Sequence, residues 1–309
     1  MSSSPRVSLA LPVYNGEEFL HQAIDSLLQQ TFDDFELIVS DNASTDRTAE
    51  ICAEYAARDS RIRYYRNSEN IGVDRNYNRS FQLAKGEYFR WNAADDVSAP
   101  ELLERCVQTL DSDPGVVLCY PKSRYVDENF NLIRDYEDRL NLDVDAPSTR
   151  FAAYLRNVEM CNAAFGLMRS NVLRQTGLCG TYSDSDFVLL GELLLYGKFV
   201  ELPQRLFFRR IHAGIAVRKY PTAQARMEMS DPGSTGRLSF PHWKVIAGYL
   251  GAIHRAPLTF SQRLRCYFHT HIWMRRRRHD LKMDLKFAGR YLLAKFRPKK
   301  MNEAPGGGR

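Results

Sequence analysis

An α/β fold, with a mainly parallel open sheet flanked by helices and a helical, basic C-terminal extension, is what this 309-residue chain predicts. Three observations carry the prediction. Strand and helix signals alternate with short links through the first 120 residues, the pattern of repeated βα units. A polar cluster follows each of the first four strands. Cations gather late: residues 261–300 hold 13 Lys or Arg against Asp280 and Asp284, although the whole chain carries a net charge of +6.

Residues 7–11 are a short apolar run that reads as a strand, and 17–30 place Phe19, Leu20, Ala23, Ile24, Leu27 and Leu28 on one helical stripe. Residues 35–40 make a second strand, followed by a helix over 45–59 with Ile51, Cys52 and Tyr55 inward and Ser44 as its cap. A third strand spans 62–65. Val73, Tyr77, Phe81 and Ala84 mark the next helix, which ends at Gly86 before a strand over 87–91, a helix over 100–110 and a strand over 116–120. Residues 130–150 are polar and irregular and predict a hairpin and loop; 160–169 read as a strand, Ser185–Tyr196 as a helix, and 198–211 as two short strands around Pro203. The Pro-, Gly- and Ser-rich stretch 218–241 predicts a mobile loop or linker between a main unit over 1–217 and a helical basic region over 242–309, whose last residues, with Gly306 to Gly308, predict disorder.

At 44% hydrophobic, the chain buries one sizeable core. No apolar run approaches the roughly 20 residues that span a bilayer, and residues 1–6 lack the charged and apolar regions of a signal peptide. The six cysteines show no CxxC spacing and lie in apolar segments, which predicts free thiols in a reducing, cytoplasmic setting.

The clusters are Pro12 to Gly16, Asp41 to Asp46, Asn70 to Gly72, and Asp95 with Asp96. Each follows the carboxyl end of a strand, the edge where open α/β sheets bind ligands. Two adjacent carboxylates repel one another and gain nothing from core packing, so the last pair points to a divalent cation and a phosphate-bearing ligand; a solvated acidic turn is the plainer reading. GxGxxG and GxxxxGK[ST] are both absent, which argues against a hydride-transfer cofactor or a P-loop nucleotide site. Asp41 and Asp46 offer ribose or base contacts beside that cation, a combination suited to a nucleotide diphosphate held through a metal.

The run ALPVYNGEEFLHQAIDSLLQQTFDDFELIVSDNASTDRTAEI, then NIGVDRNYN, AADD and DFVLLGELLLYGKFVELPQRLFFRRIH, resembles the family 2 glycosyltransferases of GT-A fold over residues 6–212. The resemblance implies an inverting, metal-dependent transferase that moves a sugar from a nucleotide-sugar donor, a UDP-sugar first, to a hydroxyl of a glycan or lipid-linked glycan. By position, Pro12, Tyr14 and Glu17 frame the nucleotide, Asp41 takes the uracil or ribose edge, and Asp46 and Arg75 line the same pocket. In the family's DxD motif the second Asp binds the metal, Mn²⁺ or Mg²⁺; here that position is Asp95, the first is Ala93, and Asp96 falls nearer the sugar. The family's base sits 11 positions before a glycine in a Glu-Asp pair, which gives Asp186, preceded by Ser185 in place of Glu. A helix N-cap is the alternative for that residue. His212, in Arg209-Arg210-Ile211-His212, matches a position that closes over the diphosphate or reaches the metal, against a satisfied histidine at a strand end.

His269 and His271 lack a third ligand and read as a solvated helix face. Cations alternate with apolar residues from 275 to 300, which suits a helix on an anionic leaflet near a lipid-linked acceptor, peripheral at the inner face of the cell membrane; a charged helix packed on the main unit is the alternative. Nucleic-acid binding through the same tail leaves the four strand-end clusters unexplained, so no nucleic-acid partner is expected. An inactive nucleotide-binding subunit stays open through Ala93 and Ser185.

Overall fold

The computed structural model describes residues 4–234 and 238–295. In chain order the strands are β1 (Val7–Val13), β2 (Phe35–Asp41), β3 (Ile62–Arg66), β4 (Tyr88–Trp91), β5 (Val97–Ser98), β6 (Val116–Val126), β7 (Leu132–Tyr136), β8 (Leu167–Arg169) and β9 (Lys198–Arg210). The helices are α1 (Leu20–Leu28), α2 (Thr48–Arg58), α3 (Val73–Gln82), α4 (Leu102–Ser112), α5 (Pro147–Asn157), α6 (Ser170–Leu173), α7 (Ser185–Tyr196), α8 (Ala216–Lys219), α9 (Ala223–Ser230), α10 (Pro241–Arg255), α11 (Phe260–Arg276) and α12 (Arg278–Lys295).

One curled sheet runs β3-β2-β1-β4-β8-β6-β9-β5, with β7 added to β6. The half built from βα repeats, β3-β2-β1-β4, is parallel throughout. Beyond β4 the sheet is mixed: β8 runs antiparallel to both β4 and β6, and β9 is parallel to β6 but antiparallel to β5. All seven residues of β1 and of β2 are buried, as expected for strands with helices on both faces.

The later elements depart from the sequence reading in four places. Residues 160–169 form a 3₁₀ turn, Asn162–Phe165, and only then a strand of three residues. Residues 198–210 are one strand rather than two; its register with β6 skips between Leu202 and Arg205, so Pro203, which has no N–H to donate, sits in a bulge. The stretch 130–150 holds the expected hairpin, β7 folded back on β6, and departs only in the start of α5, opened by Pro147 at its first turn. The 218–241 stretch carries α9, capped by Thr222, whose side chain accepts the Ala225 N–H. The glycine-rich end at 306–308 lies outside the described residues.

Two apolar clusters fill the faces of the sheet. One, from β1, β2, α1, α2 and α4, lies under the parallel half. The other joins α5, α7 and β6 to Tyr249, Ala252 and Ile253 of α10 and Cys266 of α11, so the helices after residue 240 share the main core. All six cysteines are buried free thiols. Among the described residues, no helix is long and apolar enough to cross a membrane.

Candidate active site

The carboxyl ends of β1, β2 and β3 and the turn after β4 open onto one cleft of about 660 Å³. Its walls include Pro12, Val13, Tyr14 and Asn15 after β1, Asn42 after β2, Asn70 and Asn76 on the α3 side, and Asp95 after β4. The opposite wall comes from late in the chain, with His212, Lys219, Tyr220, Glu228 and Met229.

Pairing decides why residues so far apart meet. β5 pairs with the end of β9, Val97 opposite Phe208, which sets the Asp95–Asp96 turn against residues 209–212. Arg210 fixes the turn twice: its backbone N–H donates to Asp96 Oδ1 at 2.8 Å, and its Nε donates to the Asp95 carbonyl at 2.9 Å. His212 Nε2 then lies 2.9 Å from Asp95 Oδ2, its ring edge-on to Phe19 at 4.8 Å. The Asp95 carboxylate raises the imidazole pKa. Asp96 points the other way. It is buried, it faces a recess of about 10 Å³ with Arg90, Asn92 and Ser98, and burial followed by the Asp95 charge lifts its pKa to about 7. That recess holds no more than about one water, and Asp96 is not among the residues that line the larger cleft.

The loops after β1 and β2 are laced together by side chain to backbone bonds. Ser44 Oγ accepts the Asn15 N–H, Asn15 Oδ1 accepts the Thr45 N–H, Asp46 Oδ2 accepts the Glu17 N–H, and Glu17 Oε2 accepts the Arg47 N–H, all between 2.8 and 3.1 Å. Asn15 and Ala43 hold left-handed backbones, at φ 50° and 61°, which the lacing sustains. Burial acts to raise the Asp46 pKa, but the Thr48 hydroxyl and the Thr48 and Glu17 N–H groups outweigh it and bring it down. Asp41 is fully buried: Oδ1 accepts the Ser44 N–H and Oδ2 the Tyr64 hydroxyl, each at 2.9 Å.

The family profile described as Glycosyl transferase family 2 matches residues 8–177, more than half of the chain. The chain belongs to glycosyl transferase family 2. An uncharacterized glycosyltransferase of Methanocaldococcus jannaschii is 31% identical over 135 residues, 43% of this chain and 47% of the relative, so the match spans about half the relative's length. S. aureus TarS 1-349 in complex with UDP-GlcNAc superposes with a TM-score of 0.66 at 17% identity, over 94% of this chain and 81% of that one. The mannosyltransferase PcManGT from Pyrobaculum calidifontis, in complex with GDP-Man and Mn²⁺, gives 0.52 at 14% identity over 96% and 88%. At such identities the likeness is one of fold, and the fold is GT-A.

Within this family 2 frame, the structure brings Pro12, Tyr14, Asp95 and His212 to the cleft wall. Glu17, Asp41 and Asp46 hold the loops behind that wall, and Arg75 is turned to Asp231 at 3.1 Å, tying α3 to the end of α9. Asp186 is the second residue of α7, not its N-cap; Asp184, at φ 66°, takes that place. Asp186 Oδ1 accepts the Phe187 N–H at 3.0 Å, and burial, followed by the Asp184 charge, raises its pKa. Two further groups have no role assigned from the sequence, although Asn42 and Asn70 fall in its polar clusters. Asp74, in the first turn of α3, has the Ser185 hydroxyl 3.4 Å from its Oδ1, and burial lifts its pKa to about 7 while Ser230 and Ser185 act against the rise. Asn42, Asn67, Asn70 and Asn76 form an amide network at the β2 end, with Asn42 Nδ2 donating to Asn70 Oδ1 at 2.8 Å and Asn67 Nδ2 to Asn42 Oδ1 at 2.9 Å. Asp74, Asn70 and Asn76 lie in NIGVDRNYN, whose polar cluster Asn70 to Gly72 and family resemblance assign no role to Asp74 or Asn76, and Asn42 lies in the cluster Asp41 to Asp46.

As for a metal, among the described residues no three His, Cys, Asp or Glu converge. Asp95 and His212 supply an oxygen and a nitrogen donor side by side on the cleft. That pair fits a divalent ion such as Mn²⁺, which takes both donor types, when a diphosphate and water complete its coordination.

Proposed function

We propose that this family 2 protein is an inverting glycosyltransferase that moves a sugar from a nucleotide-sugar donor, with a UDP-sugar first among the donors, to a hydroxyl of a glycan or lipid-linked glycan. One observation carries the reading: Asp95 and His212 sit 2.9 Å apart on a cleft assembled from the carboxyl ends of three parallel strands. The donor-bound neighbours, with UDP-GlcNAc and with GDP-Man and Mn²⁺, support a nucleotide sugar as ligand and leave the base open.

In this reading Pro12, Tyr14 and the Asn42–Asn70 amides flank the nucleotide, and Asp95 with His212 hold the divalent ion. When bound, that ion neutralises charge on the departing diphosphate. Asp186 accepts the proton of the acceptor hydroxyl; the acceptor oxygen bonds to the anomeric carbon as the bond from that carbon to the diphosphate oxygen breaks on the opposite face, which inverts the configuration. The raised pKa of Asp186 suits a base, because a more basic carboxylate takes a proton more readily. The work is placed at the cytoplasmic face of a membrane, where an acceptor carried on lipid is presented.

A second reading, a nucleotide-binding subunit without turnover, draws on Ala93 and Ser185 at the motif positions and on Asp186 not being among the residues that line the cleft. Calorimetry with UDP, GDP, dTDP and their sugars, with and without Mn²⁺, tests both. The expected result is Mn²⁺-enhanced binding of one nucleotide, lost by about 10-fold or more in Asp95→Asn, where one charged ligand is removed. No nucleotide binding under any metal condition removes both readings; binding with no transfer to any glycan acceptor selects the second.

A further inference from the structure

The capping box at Thr259 and Gln262 fixes the start of α11 and leaves Phe260 78% exposed. Leu264 and Phe268 follow at intervals of four, 51% and 62% exposed, so the three share one arc of the helix about 80° wide. The opposite face carries Cys266 and Thr270, both buried, and Trp273, which packs edge-on against Tyr249 at 5.5 Å. Single exposed apolar residues are ordinary; three large ones in register on the outside of a helix are not.

The next helix repeats the division with charge. Leu281, Asp284 and Ala288 face inward, while Lys282, Met283, Lys286, Phe287 and Arg290 are exposed. Among the described residues of 260–295 the two acids are engaged: Asp280 with Arg277 at 3.3 Å, and Asp284 with His242 at 2.8 Å. Arg275, Arg276 and Arg278 lie exposed at the junction of the helices. Apolar side chains beside an excess of cations complement a surface that is apolar beneath an anionic layer. A nucleic acid or an acidic peptide satisfies the cations and offers less to Leu264 and the phenylalanines.

We propose that the exposed stripe Phe260, Leu264 and Phe268 of α11 seats this protein on an anionic lipid surface, with the cations of α12 and of the junction held at the headgroups. The inference rests on the transferase reading only for its purpose, which is to hold the cleft near a lipid-linked acceptor.

The test is flotation of the full chain with phosphatidylcholine vesicles, with and without phosphatidylglycerol, at physiological salt. Binding to the anionic vesicles is expected, weakened about tenfold or more in Phe260→Ser/Leu264→Ser/Phe268→Ser and about fivefold for each charge removed among Lys282, Lys286 and Arg290. Circular dichroism and nucleotide binding are expected to stay at wild-type values in these variants. Should the triple variant unfold, Phe260→Ser alone in the exposed first turn carries the test, with a severalfold loss. Failure to float, equal binding to neutral vesicles, undiminished binding of the apolar variant, or retention by an oligonucleotide but not by vesicles overturns the proposal. Vesicle binding without sugar transfer removes the transferase reading and leaves this one standing; transfer without vesicle binding does the reverse.

Discussion

Asp184 sets the charge around the candidate base, and its backbone offers a clean way to probe it. The residue sits at φ 66°, a left-handed conformation that Asn tolerates as well as Asp does, so Asp184→Asn removes a negative charge with little strain. Burial raises the Asp186 pKa first and the Asp184 charge second, so the substitution lowers it. A base works only when deprotonated. The acid limb of the kcat profile in Asp184→Asn is therefore expected at lower pH than in the wild type, while Asp186→Asn loses transfer by about 100-fold or more at every pH. If Asp186→Asn keeps near-wild-type turnover, the base lies elsewhere, and the raised carboxyl of Asp74 becomes the group to substitute next.

At the scale of elements, the parallel half of the sheet was legible because β1 and β2 open with apolar runs and each strand is followed by a polar cluster, and the helix Ser185–Tyr196 was legible from its long apolar run after Ser185. The second half was less so. In β9 the bulge at Pro203 keeps one strand going where a proline reads as a break, and in 160–169 an apolar run without alternation folds into a 3₁₀ turn. For the site, Asp95 and His212 were legible as a motif, but nothing local told that Asp46 and Glu17 spend oxygens on N–H groups of the opposite loop. That depends on two loops about 30 residues apart closing on one another. Burial of Glu192 in α7 was equally hidden. Its carboxylate, 1% exposed, takes Arg255 Nε at 2.8 Å and Nη2 at 2.9 Å, and thereby clamps α10 to α7. Arg255→Ala leaves that anion buried with only the Gly177 N–H as a partner among the described residues. Urea unfolding is expected to show a loss of about 2–3 kcal/mol, at the lower end for a buried pair because the arginine is partly in water. A loss below about 0.5 kcal/mol sinks the clamp.

Across the whole molecule, the fold holds several carboxyls out of water, and that makes its stability depend on pH near neutrality. Asp138 is the plainest case away from the cleft. It is buried, its two oxygens have no hydrogen-bond partner of good geometry among the described residues, and burial followed by the Glu201 charge lifts its pKa to about 7, against the action of Asn162 and Arg209. In the unfolded chain its pKa returns to the ordinary carboxylate range near 4. The folded state thus binds the proton more tightly, so the stability this group contributes is fully present below about pH 4 and is lost progressively as pH rises through about 7. Asn in its place has nothing to titrate. Asp138→Asn is therefore expected to match the wild type in Tm near pH 4.5 and to exceed it at pH 8, by a margin of about 1–3 kcal/mol in unfolding free energy. Thermal scans of both proteins across that range decide the matter: a constant difference in Tm at all pH values shows that the carboxyl is paired and ionised in the fold. Asp74 adds the same sign of dependence from the cleft side, so these two groups together are expected to cost the chain stability as pH rises from about 4 through about 7, with part of it regained in either asparagine variant.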